Sequence, residues 1–489
     1  MSFQAQLFVF SWIPISLLLF YFFPPRKAIL LSFVGGWLFL PLQAGIKLPL
    51  IPDFFKPTII SYGVLLGILI FDFPRLISFR LKWIDLPMLI WCLCPIISYY
   101  SNGLAFYDGF NIALSNVGNW GVPYFVGRLY LSNLSSLKAL AETIVKGGLI
   151  YIPLCLFEIR LSPLLHKYIY GYAAGSRFIN ELRVGSGFRP KVFQQHGLSV
   201  GLWMMAATII AIWLWQSKTL KTVWNIPIIL LIPPLLMTLL LGRSMGSLVY
   251  FSYAVVILIV VKLLRTSLPL IMMVIGTSAY LFVSFTGILS LSHIEQVYNF
   301  TESLAGTRRA DSFTSRLEAE ILLAQKARRK VLFGWALHSR TREQIMTKKG
   351  DVRTYIATDE GELVRVKNND TFSSITFGQR GLVGIISIFS VFFIPILLFC
   401  RRYPAVLWLN PSVAAASVLC IVIASYLLDS ILNAHLNPVY TLAAGGISGL
   451  VISRQRELPS SNKETMNKIV PQGSYLAQQQ RRRKLKQSK

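Results

Sequence analysis

Arginine is the residue whose placement says most about chemistry in this chain. Arg243 stands in Leu240-Leu241-Gly242-Arg243-Ser244-Met245-Gly246, where only about three residues separate two long apolar runs. A guanidinium pinned at a membrane boundary is costly against lipid, so Arg243 is expected to face a polar cavity. Arg316 follows in Ser315-Arg316-Leu317-Glu318. That spacing reads as a capping box, with Ser315 opening a helix that runs to about Arg329. Arg316 would then be the first helical residue, where free backbone N–H groups and the guanidinium together suit a phosphate-like anion. The plainer alternative pairs it with Asp311 or Glu320.

Further candidates flank these two. The stretch 160–195 carries Arg183 and Arg189 in Arg183-Val184-Gly185-Ser186-Gly187-Phe188-Arg189-Pro190, flexible backbone with two guanidiniums, and Glu158 precedes it. With Arg243 and Arg316 they are expected to form a basic cleft for a diphosphate or other polyanion. In Phe333-Gly334-Trp335-Ala336-Leu337-His338-Ser339-Arg340, Trp335 offers a flat apolar face for a sugar, with His338 and Arg340 as hydrogen-bonding neighbours. Asp370 reads first as a helix cap and second as a general base for an acceptor hydroxyl. Arg380 lies among Gly378, Gly381 and Gly384, whose spacing permits close helix approach. Arg128 reads as a flanking charge. His338 lacks partners at metal spacing, so neither metal nor cofactor is implied.

The elements that must hold these residues are membrane helices. The 489 residues are 54% hydrophobic and 14% charged, outside the soluble globular range. Twelve to thirteen apolar stretches approach spanning length, from Leu7–Phe23 to Val439–Ile452. The expected fold is an all-α integral membrane protein with one large, partly helical extracytoplasmic loop. Its parts are a bundle over 1–290, the loop over 291–372, closing helices over 373–453, and a basic, disordered cytoplasmic tail over 454–489. Basic residues fall in alternate short loops, which places those loops in the cytoplasm and the 291–372 loop outside. These loops and the tail explain a net charge of +27 without nucleic acid. The five cysteines fall in or beside apolar stretches, as packing residues.

In order, Gly242-Arg243-Ser244, Ser315-Arg316, Leu332-Phe333-Gly334-Trp335, Asn369-Asp370 and Phe377-Gly378-Gln379-Arg380-Gly381-Leu382-Val383-Gly384 resemble the O-antigen ligase and O-antigen polymerase superfamily. These are bacterial inner-membrane glycosyltransferases. The likeness covers roughly 158–384. It implies a donor oligosaccharide on an isoprenyl diphosphate, an acceptor glycan or glycolipid, and companion proteins of polysaccharide assembly or export. It gives Arg243 and Arg316 the diphosphate; Arg183, Arg189, Trp335, Arg340 and Arg380 are the candidates to line the substrate. Family ligases usually carry His-Asn where this chain has Asn369-Asp370, so either Asp370 or His338 takes the base role, or the chemistry differs. The competing readings are a transporter or flippase of a lipid-linked or anionic solute, which requires buried charge pairs mid-span, and a non-catalytic scaffold of an export complex.

Overall fold

The computed structural model describes residues 3–48, 51–174, 182, 187–289, 293–337, 343–346, 352–357, 363–366, 371–434 and 436–453. The helices that open the chain are α1 (Phe3–Phe22), α2 (Pro25–Phe39), α3 (Lys56–Phe71), α4 (Phe73–Ile77), α5 (Leu86–Ser101), α6 (Phe106–Asn116) and α7 (Val122–Tyr130). Next come α8 (Leu134–Leu161), α9 (Leu165–Tyr170), α10 (Gly197–Gln216), α11 (Ile228–Leu241), α12 (Met245–Leu264) and α13 (Leu268–Thr286). The polar interval holds α14 (Ile294–Ala305) and α15 (Thr307–Arg328), and α16 (Phe372–Arg402), α17 (Ala414–Leu432) and α18 (Pro438–Ile452) close the bundle. Within the polar interval, three short strands (Glu343–Met346, Val352–Ala357 and Leu363–Val366) form an antiparallel meander. The expected helical loop thus also contains a small sheet, built where β-branched residues alternate.

This is a multi-pass all-α membrane protein. Among the described residues, eight helices are long and apolar enough to cross a bilayer, and α3, α11 and α18 are shorter apolar helices. The other two apolar stretches form α2, of 15 residues, and the pair α6 and α7, joined by a π-helical turn at Val117–Gly121. The all-round apolar α10 and α17 are 83% and 89% buried and occupy the centre, whereas α1 is 22% buried and lies at the margin.

Short basic connections gather at one end of the bundle. There Arg26 donates to Ser135 Oγ (3.5 Å), Arg75 to the Leu129 carbonyl (3.3 Å) and Arg402 to the Val451 carbonyl (2.6 Å). The opposite end holds the longer connections. It is fastened by Lys56 donating to the Phe193 carbonyl (2.9 Å) and Ser373 to the Ile431 carbonyl (3.2 Å). Arg128 is not a flanking charge. It is buried at 3.2 Å from Asp85, which also accepts from the Tyr124 hydroxyl and the Lys82 amide. The pair ties the turn before α5 to α7, because a cation in that position needs a counter-charge once water is excluded. Beside it, a Cβ on Gly127 or Gly445 would collide with the facing backbone, so small residues set the α7–α18 approach.

Two local expectations are corrected. Helix α15 begins at Thr307, after Gly306 turns the chain at φ 82°, so Ser315 is not its cap and Arg316 lies in its third turn. A glycine with positive φ stops one helix and starts the next more cheaply than a Ser-x-x-Glu pattern inside it. Gly381 does not serve close helix approach; it has φ 63° and ψ −160° and breaks α16 at the start of its apolar run. A break there frees backbone groups that need new partners. Segment 331–336 satisfies them: Trp335 and Ala336 amides donate to the Gly378 and Gln379 carbonyls (2.8 and 3.0 Å). In return, Leu382 and Val383 amides donate to Val331 and Leu332 (2.8 and 3.2 Å).

Candidate functional site

The long-connection end carries two arginine-bearing clusters. The first is built on α15, whose Leu317, Ile321 and Ala324 are buried while Asp311 and Glu318 face outward. That apolar stripe lays the helix against α13 and the loop-side end of α16. Arg316 then reaches the first turn beyond α17, where its Nη1 donates to Asn433 Oδ1 at 3.1 Å. Asn433 Nδ2 donates to Asp429 Oδ1 at 2.8 Å, and the Tyr250 hydroxyl of α12 also bonds Asp429. Asp429 supplies a counter-charge to Arg316 through Asn433. A carboxylate, an amide, a phenol and a guanidinium from three elements therefore form one linked network.

Glu320, one turn along α15, explains how that helix is held. It is buried, with Oε1 accepting from Ser284 (2.7 Å) and Oε2 from Tyr280 (3.0 Å) of α13. Burial pushes its carboxyl up to about 7, against a partial offset from the two hydroxyl donors.

The rim beside this network is basic. Gly201 of α10 sits against Ser244 and Ser247, so closely that a Cβ would clash, which draws the Arg243 turn to the start of α10. Arg243 is exposed and stands seven residues before Tyr250 on the same strand of chain, about 10 Å along the axis. Pro190 packs near Gly242, and Arg189 lies across Gly197, so Arg189 and Arg243 share one neighbourhood. The anchor for that arrangement is Glu158. Its carboxylate accepts from the amides of Leu165, Lys191 and Val192 at 3.0, 2.8 and 2.7 Å. Three amides on one buried carboxylate draw the chain at Leu165 and at Lys191-Val192 to the end of α8.

A cavity of about 400 Å³ opens on the same face, lined by Trp37, Phe55, Lys56, Gln194, Gln195 and Ser199 among others, and by Leu436 of the turn after Asn433. Aromatic faces beside amide and hydroxyl groups suit a sugar ring. Nearby His166 is structural: Nε2 accepts from the Leu42 amide (3.1 Å), so Nδ1–H donates to the Tyr172 carbonyl (2.9 Å). Burial lowers its pKa, which agrees with a neutral ring.

The second cluster surrounds the break in α16. Arg380 is stacked over Trp91 at 3.9 Å and donates to Asn116 Oδ1 at 3.1 Å. Trp335 donates its indole N–H to the Lys326 carbonyl (2.9 Å), and the Lys330 ammonium lies 4.7 Å from its ring centre. Ser98 of α5 donates to the Phe333 and Gln379 carbonyls, and Asn102, just past its end, to the Gly334 carbonyl. Trp335 and Arg380 thus stand together in a network separate from that of Arg316.

Of the residues expected from sequence, the structure gathers Arg189 and Arg243 near one rim and sets Arg316 in the adjoining network. Arg183, His338, Arg340 and Asp370 lie outside the described residues, as does the 454–489 tail. Sequence reading passed over Asp429, Asn433, Tyr250 and Lys56. Asp429 carried a usable signal, being the one acidic residue in the apolar run from Ala405 to Leu432, where an ionisable group is a functional candidate by default. Neither a family model nor a curated protein matches this chain.

Proposed function

We propose that this protein is a bacterial inner-membrane glycosyltransferase that polymerises or transfers oligosaccharide from an isoprenyl-diphosphate carrier to an acceptor sugar hydroxyl. The long-connection end then faces away from the cytoplasm, as the charge bias of the opposite end supports. The observation that carries the reading is the pairing of a basic rim, Arg189 and Arg243, with the buried Arg316–Asn433–Asp429–Tyr250 network and a sugar-sized cavity. In the reaction, the acceptor oxygen bonds the anomeric carbon while the bond from that carbon to the diphosphate oxygen breaks. The electron pair leaves with the diphosphate, and Arg243 and Arg189 stabilise the growing charge. Arg316 adds positive potential from a position fixed by Asn433. The hydroxyl proton passes to Asp370 or His338, the sequence candidates for base.

The competing reading, a transporter or flippase, requires charge pairs mid-span, whereas the buried Asp85–Arg128 pair joins the turn before α5 to α7. The deciding experiment replaces Arg243 and Arg316 singly by Ala in the native host, confirms membrane levels, and sizes the surface polysaccharide. Short lipid-linked units accumulating in place of long chains supports polymerisation; unattached long polymer supports ligation. Normal glycan in both variants rejects the site and shifts the reading to transport or to a scaffold within an export complex.

A further inference from the structure

The opposite, basic end holds a cleft that the proposed reaction does not use. It lies between α2 and α8, has a volume of about 540 Å³, and is walled by Leu30, Leu31, Val34 and Leu38 on the α2 side. From Arg26 to Phe39 the lining covers 13 residue steps, about 20 Å of helix. That is somewhat more than one leaflet's share, about 15 Å, of a hydrocarbon core. Three cations line it: Arg26 and Lys27 where α2 begins, and Lys146 near the middle of α8. The acidic lining residue is Glu142, which already faces Lys138 at 3.8 Å. Among the described residues Lys146 has neither a carboxylate within ion-pair distance nor a hydrogen bond. Trp224, on the turn of the Thr222–Pro227 hairpin, completes the lining with an aromatic ring of the kind that settles at headgroup level.

We infer that this cleft binds an anionic phospholipid from the leaflet at the basic end, one acyl chain along α2 and its phosphate among Arg26, Lys27 and Lys146. An ionisable side chain halfway through a membrane helix is costly unless a partner meets it or it reaches toward a headgroup. A lysine stem long enough to bend toward the bilayer surface brings its ammonium toward the two cations at the mouth. The remaining charge of the cleft is positive, the walls are apolar, and the length is that of a lipid tail. A neutral lipid would satisfy the walls and bring no counter-charge to the three cations.

The test uses the purified full chain in detergent, offered equal amounts of phosphatidylglycerol and phosphatidylcholine with identical acyl chains, and counts retained lipids by native mass spectrometry. Preferential retention of phosphatidylglycerol is expected. Lys146→Ala, and Arg26→Ala with Lys27→Ala, should weaken it about fivefold for each cation removed, while phosphatidylcholine adducts hold steady. Lys146→Arg should preserve the preference, and Leu31→Trp, which fills the groove, should reduce both lipids. Thermal unfolding of each variant separates lost lipid from lost fold. Equal retention of the two lipids, or an unchanged preference in a folded Lys146→Ala protein, overturns the proposal.

Discussion

Arg316 and Arg380 are both arginines on helices at the same end of the bundle, and their surroundings give them opposite characters. Arg380 is spent on architecture: its plane is stacked on Trp91, its nitrogen is taken by Asn116, and it flanks a helix break that another segment repairs. Arg316 is held by an amide that is itself held by a carboxylate, at the edge of an arginine-lined rim. A guanidinium whose face and fork are both occupied stabilises a fold. In the proposed function, one oriented through a polar relay beside a basic rim is available to a ligand.

That contrast is sharpest in activity. Arg243→Ala and Arg316→Ala are each expected to lower glycan transfer by about 10²–10³, the cost of removing one stabiliser of developing charge. Thermal stability should stay within a few degrees. Arg380→Ala should do the reverse, with the melting temperature falling and the specific activity of the folded fraction retained. A folded Arg380→Ala protein without transfer activity would erase the distinction.

Gly381→Ala strikes the architectural region directly. Its φ is left-handed, and a Cβ would run into the backbone of Leu332. Strain and overpacking together should cost about 2–4 kcal/mol. Chemical denaturation of the variant measures it; a loss below about 1 kcal/mol would show that segment 331–336 yields easily.

The next test concerns how α15 presents Arg316. The Glu320 carboxyl is raised from its ordinary value to about 7 when docked against Tyr280 and Ser284. The docked state therefore holds its proton more tightly than the undocked one. Docking is strongest below the ordinary carboxyl range, weakens as pH rises through 4.5 toward 7, and is level above that. With the intrinsic pH dependence of amide exchange divided out, protection of α15 should fall across this window in the wild type and stay level in Glu320→Gln. A fall in protection that persists in Glu320→Gln would assign the effect elsewhere.

The smallest effect is expected at Trp335→Phe. Losing the indole bond to Lys326 should cost about 1 kcal/mol, with transfer activity unchanged. A large fall in activity without loss of stability would return Trp335 to the substrate.

Much of the architecture was legible before any coordinates. Apolar stretches of spanning length and alternating basic loops follow from the cost of exposing backbone and charge to hydrocarbon, which acts locally along the chain. Arg189, Arg243 and Arg316 stood out as candidates for the same reason. Their partners were not. Asn433 is 117 residues from Arg316, and nothing near either residue announces the other. The Ser-x-x-Glu pattern at Ser315 pointed to a helix start, and Gly306 overrode it because a residue with φ 82° ends one helix wherever it stands.

By itself the sequence determined that this is a multi-pass membrane protein, and which residues would be too costly to leave facing lipid. Tertiary structure alone decided which partners each of those charges meets. The physical reason is distance: transfer into hydrocarbon is priced residue by residue along the chain, whereas a buried charge is satisfied by whichever donors packing brings within about 3 Å. Glu158 found three backbone amides, Arg380 an aromatic face, and Arg316 an amide braced by Asp429.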